Sequence, residues 1–148
     1  KKNIKARLIN FELKNNRSQF IKTKNNKIIL DAYNANPTSV TLAIKNFSQI
    51  KEFKKYTNRL VVLGDMLELG EKSNTYHQNI ILLLESVGLK NCVLVGKYFK
   101  KTKCLNNYIK LNSVSECKKL LAIKNIKKTL ILIKGSRKIQ LEKIVDVL

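Results

Sequence analysis

The sequence predicts a layered α/β domain built on a mainly parallel sheet. Short apolar runs alternate with segments of helical periodicity, which is the pattern of strands joined by crossover helices. The strongest runs, "LVVLG" at residues 60–64 and "LILI" at residues 130–133, contain no polar side chain, as expected for buried strands. The 148 residues suffice for one domain core, and 44% of them are hydrophobic, as in ordinary globular chains.

The first third of the chain begins with apolar side chains near helical spacing in residues 1–14, which predicts the last helix of a preceding unit. Two β-like runs then flank Asn25-Asn26, a pair that tolerates positive φ, so we expect a hairpin. Asn36 is a good N-cap and Pro37 a good first helical residue. The apolar face of the helix that follows comprises Val40, Ala43, Ile44 and Phe47.

The rest of the chain continues the alternation. "NRLVVLGD" and "NCVLVG" predict buried strands, and between them "EKSNTYHQNIILLLESVG" predicts a helix that ends at Gly88. "SVSE" has capping-box spacing and opens the next helix, "KTLILIKGS" is the last strong strand, and "IQLEKIVDVL" predicts a closing amphipathic helix. The predicted inward residues are Ile80, Leu83, Leu84 and Val87 in the first of these helices and Cys117, Leu120 and Leu121 in the second.

The formal net charge of +20 has two interpretations. A basic module attracts nucleic acid or other polyanions by counterion release. However, the excess is mostly lysine and accompanies abundant Asn and Ile, the residues that A/T-rich codons specify. Arginine, the better reader of bases and phosphates, is scarce. We therefore favour codon bias and keep a basic α/β polyanion-binding module as the alternative function.

The cysteines and the histidine exclude the common metal motifs. Cys92, Cys104 and Cys117 form no CxxC pair, and the single histidine, His77, leaves no usual zinc spacing. We expect Cys92 to be a buried free thiol in a cytoplasmic protein and His77 to lie at the surface or at the rim of a site. No apolar run reaches the roughly 20 residues of a bilayer-spanning helix.

Polar residues follow three predicted strands, in "DAYNANP" at residues 31–37, in Gly64-Asp65 and in Lys134-Gly135-Ser136. The carboxyl ends of parallel strands meet at one edge of a sheet, and ligands bind there. An aspartate can accept hydrogen bonds from the hydroxyls of a ribose. An asparagine amide offers one donor and one acceptor to the edge of an adenine. A lysine beside glycine and serine can bind an anion, because glycine lets the backbone N–H groups approach it closely. Asp and Asn are also ordinary turn residues, so the first loop can equally be structural.

The sequence lacks the common phosphate-binding motifs, since neither GxxxxGK[ST] nor GxGxxG occurs. The residues at the strand ends alone therefore do not make an autonomous phosphate-binding enzyme.

Four blocks in order give the chain a close resemblance to the C-terminal domain of a Mur ligase: "NNRSQ", "ILDAYNANPTSV", "VVLGDMLELGEKS" with "YHQN", and "ILIKGSRKIQLEKIV". The resemblance implies a three-layer Rossmann-like domain in a cytoplasmic, ATP-dependent ligase of peptidoglycan precursor synthesis. That enzyme would join D-Ala-D-Ala to UDP-N-acetylmuramoyl-tripeptide through an acyl phosphate. A related Mur or folylpolyglutamate-type ligase with another acceptor is the nearest alternative.

The resemblance also implies a division of the chain and roles for its residues. Residues 1–18 would be the end of the central ATPase domain and the hinge, and residues 19–148 the C-terminal domain, inactive alone. ATP and Mg²⁺ would be the cofactors, with the metal site mostly upstream, and no membrane partner is implied. Asp65 and Glu68 would line the cleft edge. By resemblance, the nucleotide-binding residues are Arg17, Asp31 (through the ribose), Asn34 and Asn36, and the residues facing the dipeptide and its carboxylate are Lys134, Gly135 and Ser136.

Overall fold

One six-stranded sheet forms the centre of the computed structural model, which describes residues 18–51 and 55–148. The spatial order is β1-β2-β6-β3-β4-β5. Only β1 runs antiparallel to its neighbour, and the other described pairings are parallel, which confirms the mainly parallel sheet. The strands are β1 Gln19–Lys22, β2 Lys27–Asp31, β3 Asn58–Gly64, β4 Cys92–Val95, β5 Ile109–Leu111 and β6 Thr129–Lys134.

Helices cover both faces of the sheet, giving three layers. The described helices are α1 Pro37–Gln49, α2 Ser73–Ser86, α3 Lys97–Lys100 and α4 Val114–Lys124, with 3-10 helices at Gly70–Lys72, Arg137–Ile139 and Leu141–Val147. The first three α-helices pack on one face and α4 with the last 3-10 helix on the other. No helix in the described ranges is long and apolar enough to cross a bilayer.

The central strand β6 shows why the apolar runs are continuous. Leu130 and Leu132 contact the α1–α2 side, whereas Ile131 and Ile133 contact the α4 side. Because successive side chains of a strand point to opposite faces, a strand covered on both faces needs an apolar residue at every position. All residues of β6 are buried, including the polar residues Thr129 and Lys134 at its two ends, and the four residues between them are apolar.

The predicted hairpin joins β1 to β2, but its turn has a different basis. Neither Asn25 nor Asn26 has a positive φ. Asn26 is instead fully buried, and its Nδ2 donates to the carbonyl oxygens of Ile126 (2.8 Å) and Leu148 (2.6 Å). Its Oδ1 accepts from the Thr129 N–H at 3.1 Å. The side chain therefore connects the hairpin to the start of β6 and to the last residue.

Asn26→Ala is expected to lower the free energy of unfolding by about 2 kcal/mol, because the Thr129 N–H and the Ile126 carbonyl lose this partner and the Leu148 carbonyl keeps only the Thr23 hydroxyl. Ile126 and Leu148 are only half-buried, which limits the expected loss. Asn25→Ala is the matched control, since Asn25 is exposed in the same turn. Urea denaturation of both variants measures the difference, and equal losses would contradict the role of Asn26.

Several elements of the structure differ from the prediction or were missed by it. "IQLEKIVDVL" forms 3-10 rather than α-helical turns; Leu141 and Ile144 are buried at the three-residue spacing that a 3-10 helix places on one face. In α2, Ile80 and Leu84 are buried as predicted, but Leu83 and Val87 are only half-buried. Helix α3 and strand β5 were not predicted. The helix expected in residues 1–14 lies outside the described residues, and the boundary at residue 18 stays a prediction.

Candidate functional site

The three polar strand ends meet at one edge of the sheet. Asp31 at the end of β2 is paired in register with Lys134 at the end of β6, and Lys134 is paired with Leu63 of β3. Gly64 then lies opposite Val95 of β4. The parallel register therefore brings the DAYNANP loop, Gly64-Asp65 and Lys134-Gly135-Ser136 together, as the sequence predicted.

Lys134 forms an ion pair with Asp31 at this edge. Its side chain is 2% exposed, and its Nζ lies 2.7 Å from Asp31 Oδ2 and 2.9 Å from the backbone oxygen of Asn34. A buried ammonium requires such partners, so Lys134 fixes both the carboxylate and the loop. The Asp31 side chain remains 23% exposed, and its Oδ1 accepts no hydrogen bond from the described residues. That oxygen is available to a ligand. Both described bonds of Lys134 go to the loop, and its contact with a dipeptide stays a prediction.

The two asparagines of the loop have different environments. Asn36 caps α1: its Oδ1 accepts from the Ser39 N–H at 2.8 Å, and its own N–H donates to Ser39 Oγ at 3.2 Å. This capping box confirms the predicted helix start and leaves the Asn36 amide nitrogen for a ligand. The Asn34 side chain is exposed. Arg17, the fourth residue expected to bind nucleotide, lies outside the described residues.

Gly135 is required by close packing between two strand exits. A Cβ atom on Gly135 would lie 3.0 Å from Gly64 Cα and 2.9 Å from Leu141 Cδ1. The sequence suggested instead that this glycine allows an anion to approach the backbone. The next residue, Ser136, is 8% exposed; its N–H donates to the Asp65 carbonyl at 3.3 Å, and its Oγ accepts from the Leu67 N–H at 3.0 Å.

Asp65 does not line the cleft edge as expected. It is 1% exposed, and its two carboxylate oxygens accept from the N–H groups of Tyr98 (3.0 Å) and Phe99 (2.9 Å). The carboxylate thus satisfies backbone donors at the start of α3, which otherwise lack partners. Glu68 is exposed and pairs with Lys138 at 3.7 Å.

His77 is fully buried, so the prediction of a surface or rim position is wrong. Its Nε2 accepts from the Met66 N–H at 3.0 Å, which leaves the proton on Nδ1, 2.6 Å from the Ser73 carbonyl oxygen. Burial lowers the pKa of His77, against the opposing effects of the Ser73 carbonyl and the Asp65 carboxylate. The sequence did carry a signal: His77 shares the inward face of α2 with Ile80, Ile81 and Leu84.

The lowered pKa of His77 predicts a loss of stability in acid. Because the unfolded histidine has the higher pKa, of about 6.5, the unfolded state binds the proton first as pH falls. The free energy of unfolding is therefore expected to decrease below pH of about 6.5, by at most about 1.4 kcal/mol per pH unit from this group. Denaturation from pH 7 to 5 should show a steeper loss in the wild type than in His77→Phe. An equal slope would contradict a neutral buried histidine.

The remaining groups offer no metal site within the described ranges. Residues 18–51 and 55–148 contain no cluster of three or more His, Cys, Asp or Glu that could hold a metal ion. At the sheet edge Asp31 already pairs with Lys134 and Asp65 is occupied by backbone donors, which does not fit the several oxygen ligands that Mg²⁺ prefers. Cys92 and Cys117 are buried free thiols, and burial raises the pKa of each to about 12.

The sheet and its polar edge together define a class of protein: a Rossmann-like α/β domain with polar side chains at the carboxyl ends of its parallel strands, the place where such sheets bind ligands. Comparison with known proteins then identifies the family. The family model described as "Mur ligase, glutamate ligase domain" matches residues 16–137. The chain belongs to the Mur ligase family.

Curated relatives include enzymes named UDP-N-acetylmuramoyl-tripeptide–D-alanyl-D-alanine ligase. The one from Buchnera aphidicola (subsp. Acyrthosiphon pisum) is 35% identical over 98% of this chain and 32% of its own length. The one from Bacillus subtilis is 36% identical over 87% of this chain and 29% of its own length. The chain thus spans about a third of the length of these relatives.

Solved structures of MurF ligases share the fold. The Thermotoga maritima enzyme, crystallised in complex with ADP, superposes with a TM-score of 0.75 at 22% identity, covering 93% of this chain and 31% of that one. A MurF structure from Acinetobacter baumannii gives a TM-score of 0.67 at 27% identity, over 88% of this chain and 29% of that one.

Proposed function

We propose that this chain is the C-terminal domain of an ATP-dependent ligase that adds D-Ala-D-Ala to UDP-N-acetylmuramoyl-tripeptide in peptidoglycan precursor synthesis, in the cytoplasm. The observation that carries the proposal is the match of nearly the whole chain to ligases of that name. Because the chain spans about a third of those enzymes, the activity belongs to a longer protein, here called the full-length protein. The tripeptide carboxyl would first be phosphorylated by ATP, and the dipeptide amine would then displace phosphate.

The DAYNANP loop supplies the nucleotide contacts in this proposal. Asp31 Oδ1 accepts a hydrogen bond from a ribose hydroxyl, while Lys134 Nζ donates to the other carboxylate oxygen, Oδ2. The exposed amide of Asn34 and the amide nitrogen of Asn36 contact the base, and Arg17 reaches the nucleotide from the hinge. The ADP bound to the Thermotoga maritima relative supports a nucleotide as the ligand. Mg²⁺ would be held outside the described residues.

The acceptor dipeptide lies on the other side of the same edge. Gly135 and Ser136 face it, with Lys134 between the two ligands. The Ser136 oxygen already accepts a bond from the Leu67 N–H, so its hydroxyl proton is left to donate to a substrate oxygen such as the dipeptide carboxylate. Closure of the domain over the acyl phosphate would exclude water and align the amine with the carbonyl carbon.

Acceptor-dependent phosphate release tests the proposal. The full-length protein is supplied with ATP, Mg²⁺ and UDP-N-acetylmuramoyl-tripeptide, together with D-Ala-D-Ala, D-Ala, L-amino acids or glutamate in parallel. Release is expected only with the dipeptide. Release with a single amino acid or glutamate would assign the chain to a related ligase, and release independent of any acceptor would contradict the proposal.

A further inference from the structure

The buried histidine of α2 is connected to the acceptor side of the edge by a short series of hydrogen bonds. We propose that His77 is a positioning residue: it fixes the loop Asp65–Met66–Leu67, and this loop orients the Ser136 hydroxyl toward the acceptor substrate. The inference rests on the proposed function, because it assigns Ser136 to the acceptor.

Each backbone N–H of this loop has a defined acceptor. The Asp65 N–H donates to the Val95 carbonyl at 2.9 Å, which ends the pairing of the sheet. The Met66 N–H donates to His77 Nε2 at 3.0 Å, and the Leu67 N–H donates to Ser136 Oγ at 3.0 Å. Beyond the sheet, backbone donors need new partners, so His77 and Ser136 determine where the loop lies.

Ser136 is held at two atoms by this loop. Its N–H donates to the Asp65 carbonyl, and its Oγ accepts from the Leu67 N–H. The residue is 8% exposed, and its hydroxyl proton has no acceptor among the described residues. A buried hydroxyl with a spare proton is suited to a carboxylate or carbonyl oxygen of a ligand. Loss of the Leu67 bond would free the hydroxyl to rotate away from that direction.

The protonation state of His77 decides whether the Met66 bond forms. The Ser73 carbonyl keeps the proton on Nδ1, so Nε2 can accept. A proton on Nε2 would point at the Met66 N–H, and two donors would face each other. Among the described residues, the titratable groups against the ring are Asp65, with Oδ1 3.6 Å from Nε2, and Tyr98, whose ring is stacked at 5.2 Å. The Phe99 ring adds an edge contact at 4.7 Å.

Two substitutions in the full-length protein separate the hydrogen bond from the packing. His77→Phe keeps a ring of similar size but no acceptor, whereas His77→Gln places an amide oxygen near the position of Nε2. We expect His77→Phe to raise the KM for D-Ala-D-Ala about 10-fold and to leave the KM for ATP within about 2-fold. His77→Gln should bring the dipeptide KM to within about 3-fold of wild type. Equal increases in both KM values, or no recovery with glutamine, would overturn the inference.

A double-mutant cycle and a spectrum of the wild type complete the test. Ser136→Ala should raise the dipeptide KM in the wild type but add little in His77→Phe, because both changes remove the same contact. In ¹⁵N-histidine-labelled wild-type protein, the resonance that disappears in His77→Gln should report the neutral Nδ1–H tautomer at pH 7. An Nε2–H tautomer would overturn the inference even if His77→Phe failed to fold. A wild type without dipeptide dependence would instead reject the proposed function.

Discussion

Asp31→Asn in the full-length protein is expected to lower kcat/KM for ATP about 100-fold and to leave the KM for the dipeptide within about 2-fold. The substitution removes the negative charge that strengthens the bond to a ribose hydroxyl, and charge-assisted hydrogen bonds contribute about 1.5–3 kcal/mol each. Asparagine retains a carbonyl oxygen for Lys134 Nζ, which lies 2.7 Å from the native carboxylate. Steady-state kinetics with varied ATP measures the effect.

Asp146→Asn is the matched control for this prediction. The chemical change is identical, but the Asp146 side chain is 66% exposed and pairs with Lys118 on the surface. Surface ion pairs contribute little, so no change in kcat/KM is expected. If Asp31→Asn behaved like Asp146→Asn, the DAYNANP loop would be a turn without a nucleotide role. Alanine is a poorer choice at residue 31, because it would leave the buried Lys134 ammonium with no side-chain oxygen to accept its hydrogen bond, whereas asparagine keeps one.

Gly96→Ala is expected to lower the free energy of unfolding by about 4 kcal/mol. Gly96 has φ 127° and ψ 169°, a region that is essentially confined to glycine. A Cβ atom would also lie 2.3 Å from the Asp65 carboxylate. Alanine would therefore displace Asp65 from the Tyr98 and Phe99 N–H groups and leave a buried carboxylate unpaired. Urea denaturation at pH 7 gives the loss directly.

Gly88→Ala separates the strain of positive φ from this clash. Gly88 ends α2 with φ +74°, and no atom lies within 4 Å of the position its Cβ would take. The expected loss is only about 1 kcal/mol, the ordinary cost of a left-handed alanine. Similar losses for the two variants would show that Asp65 does not depend on the space beside Gly96.

The sequence could predict the sheet and its polar edge because both follow from local patterns. A strand buried on both faces is apolar between its ends, as at residues 130–133 of β6, and a polar residue such as Lys134 marks where it ends; Asp31 marks the end of β2 in the same way. The capping box of α1 is equally local, since Asn36 and Ser39 are three residues apart. Parallel register then brings the strand ends together without further information.

The burial of the polar side chains and their hydrogen-bond partners could not be predicted from local sequence patterns. Lys134 is buried against Asp31, 103 residues earlier in the chain, so nothing near Lys134 in the sequence indicates the ion pair. Asp65 is buried because the start of α3, a helix too short to show periodicity, supplies its donors. His77 was misplaced for a different reason: its residue type suggested a surface, although its helical position indicated the core.

Asp31 is proposed to contact the ribose of the nucleotide. A double-mutant cycle that removes the Asp31 carboxylate and the ribose hydroxyls in turn tests this contact most directly. The values of kcat/KM for ATP, 2′-deoxy-ATP and 3′-deoxy-ATP are measured for the wild type, Asp31→Asn and Asp146→Asn of the full-length protein. We predict that the wild type and Asp146→Asn discriminate about 10-fold or more against at least one deoxynucleotide, while Asp31→Asn discriminates less than about 2-fold. Equal discrimination by all three proteins would contradict it.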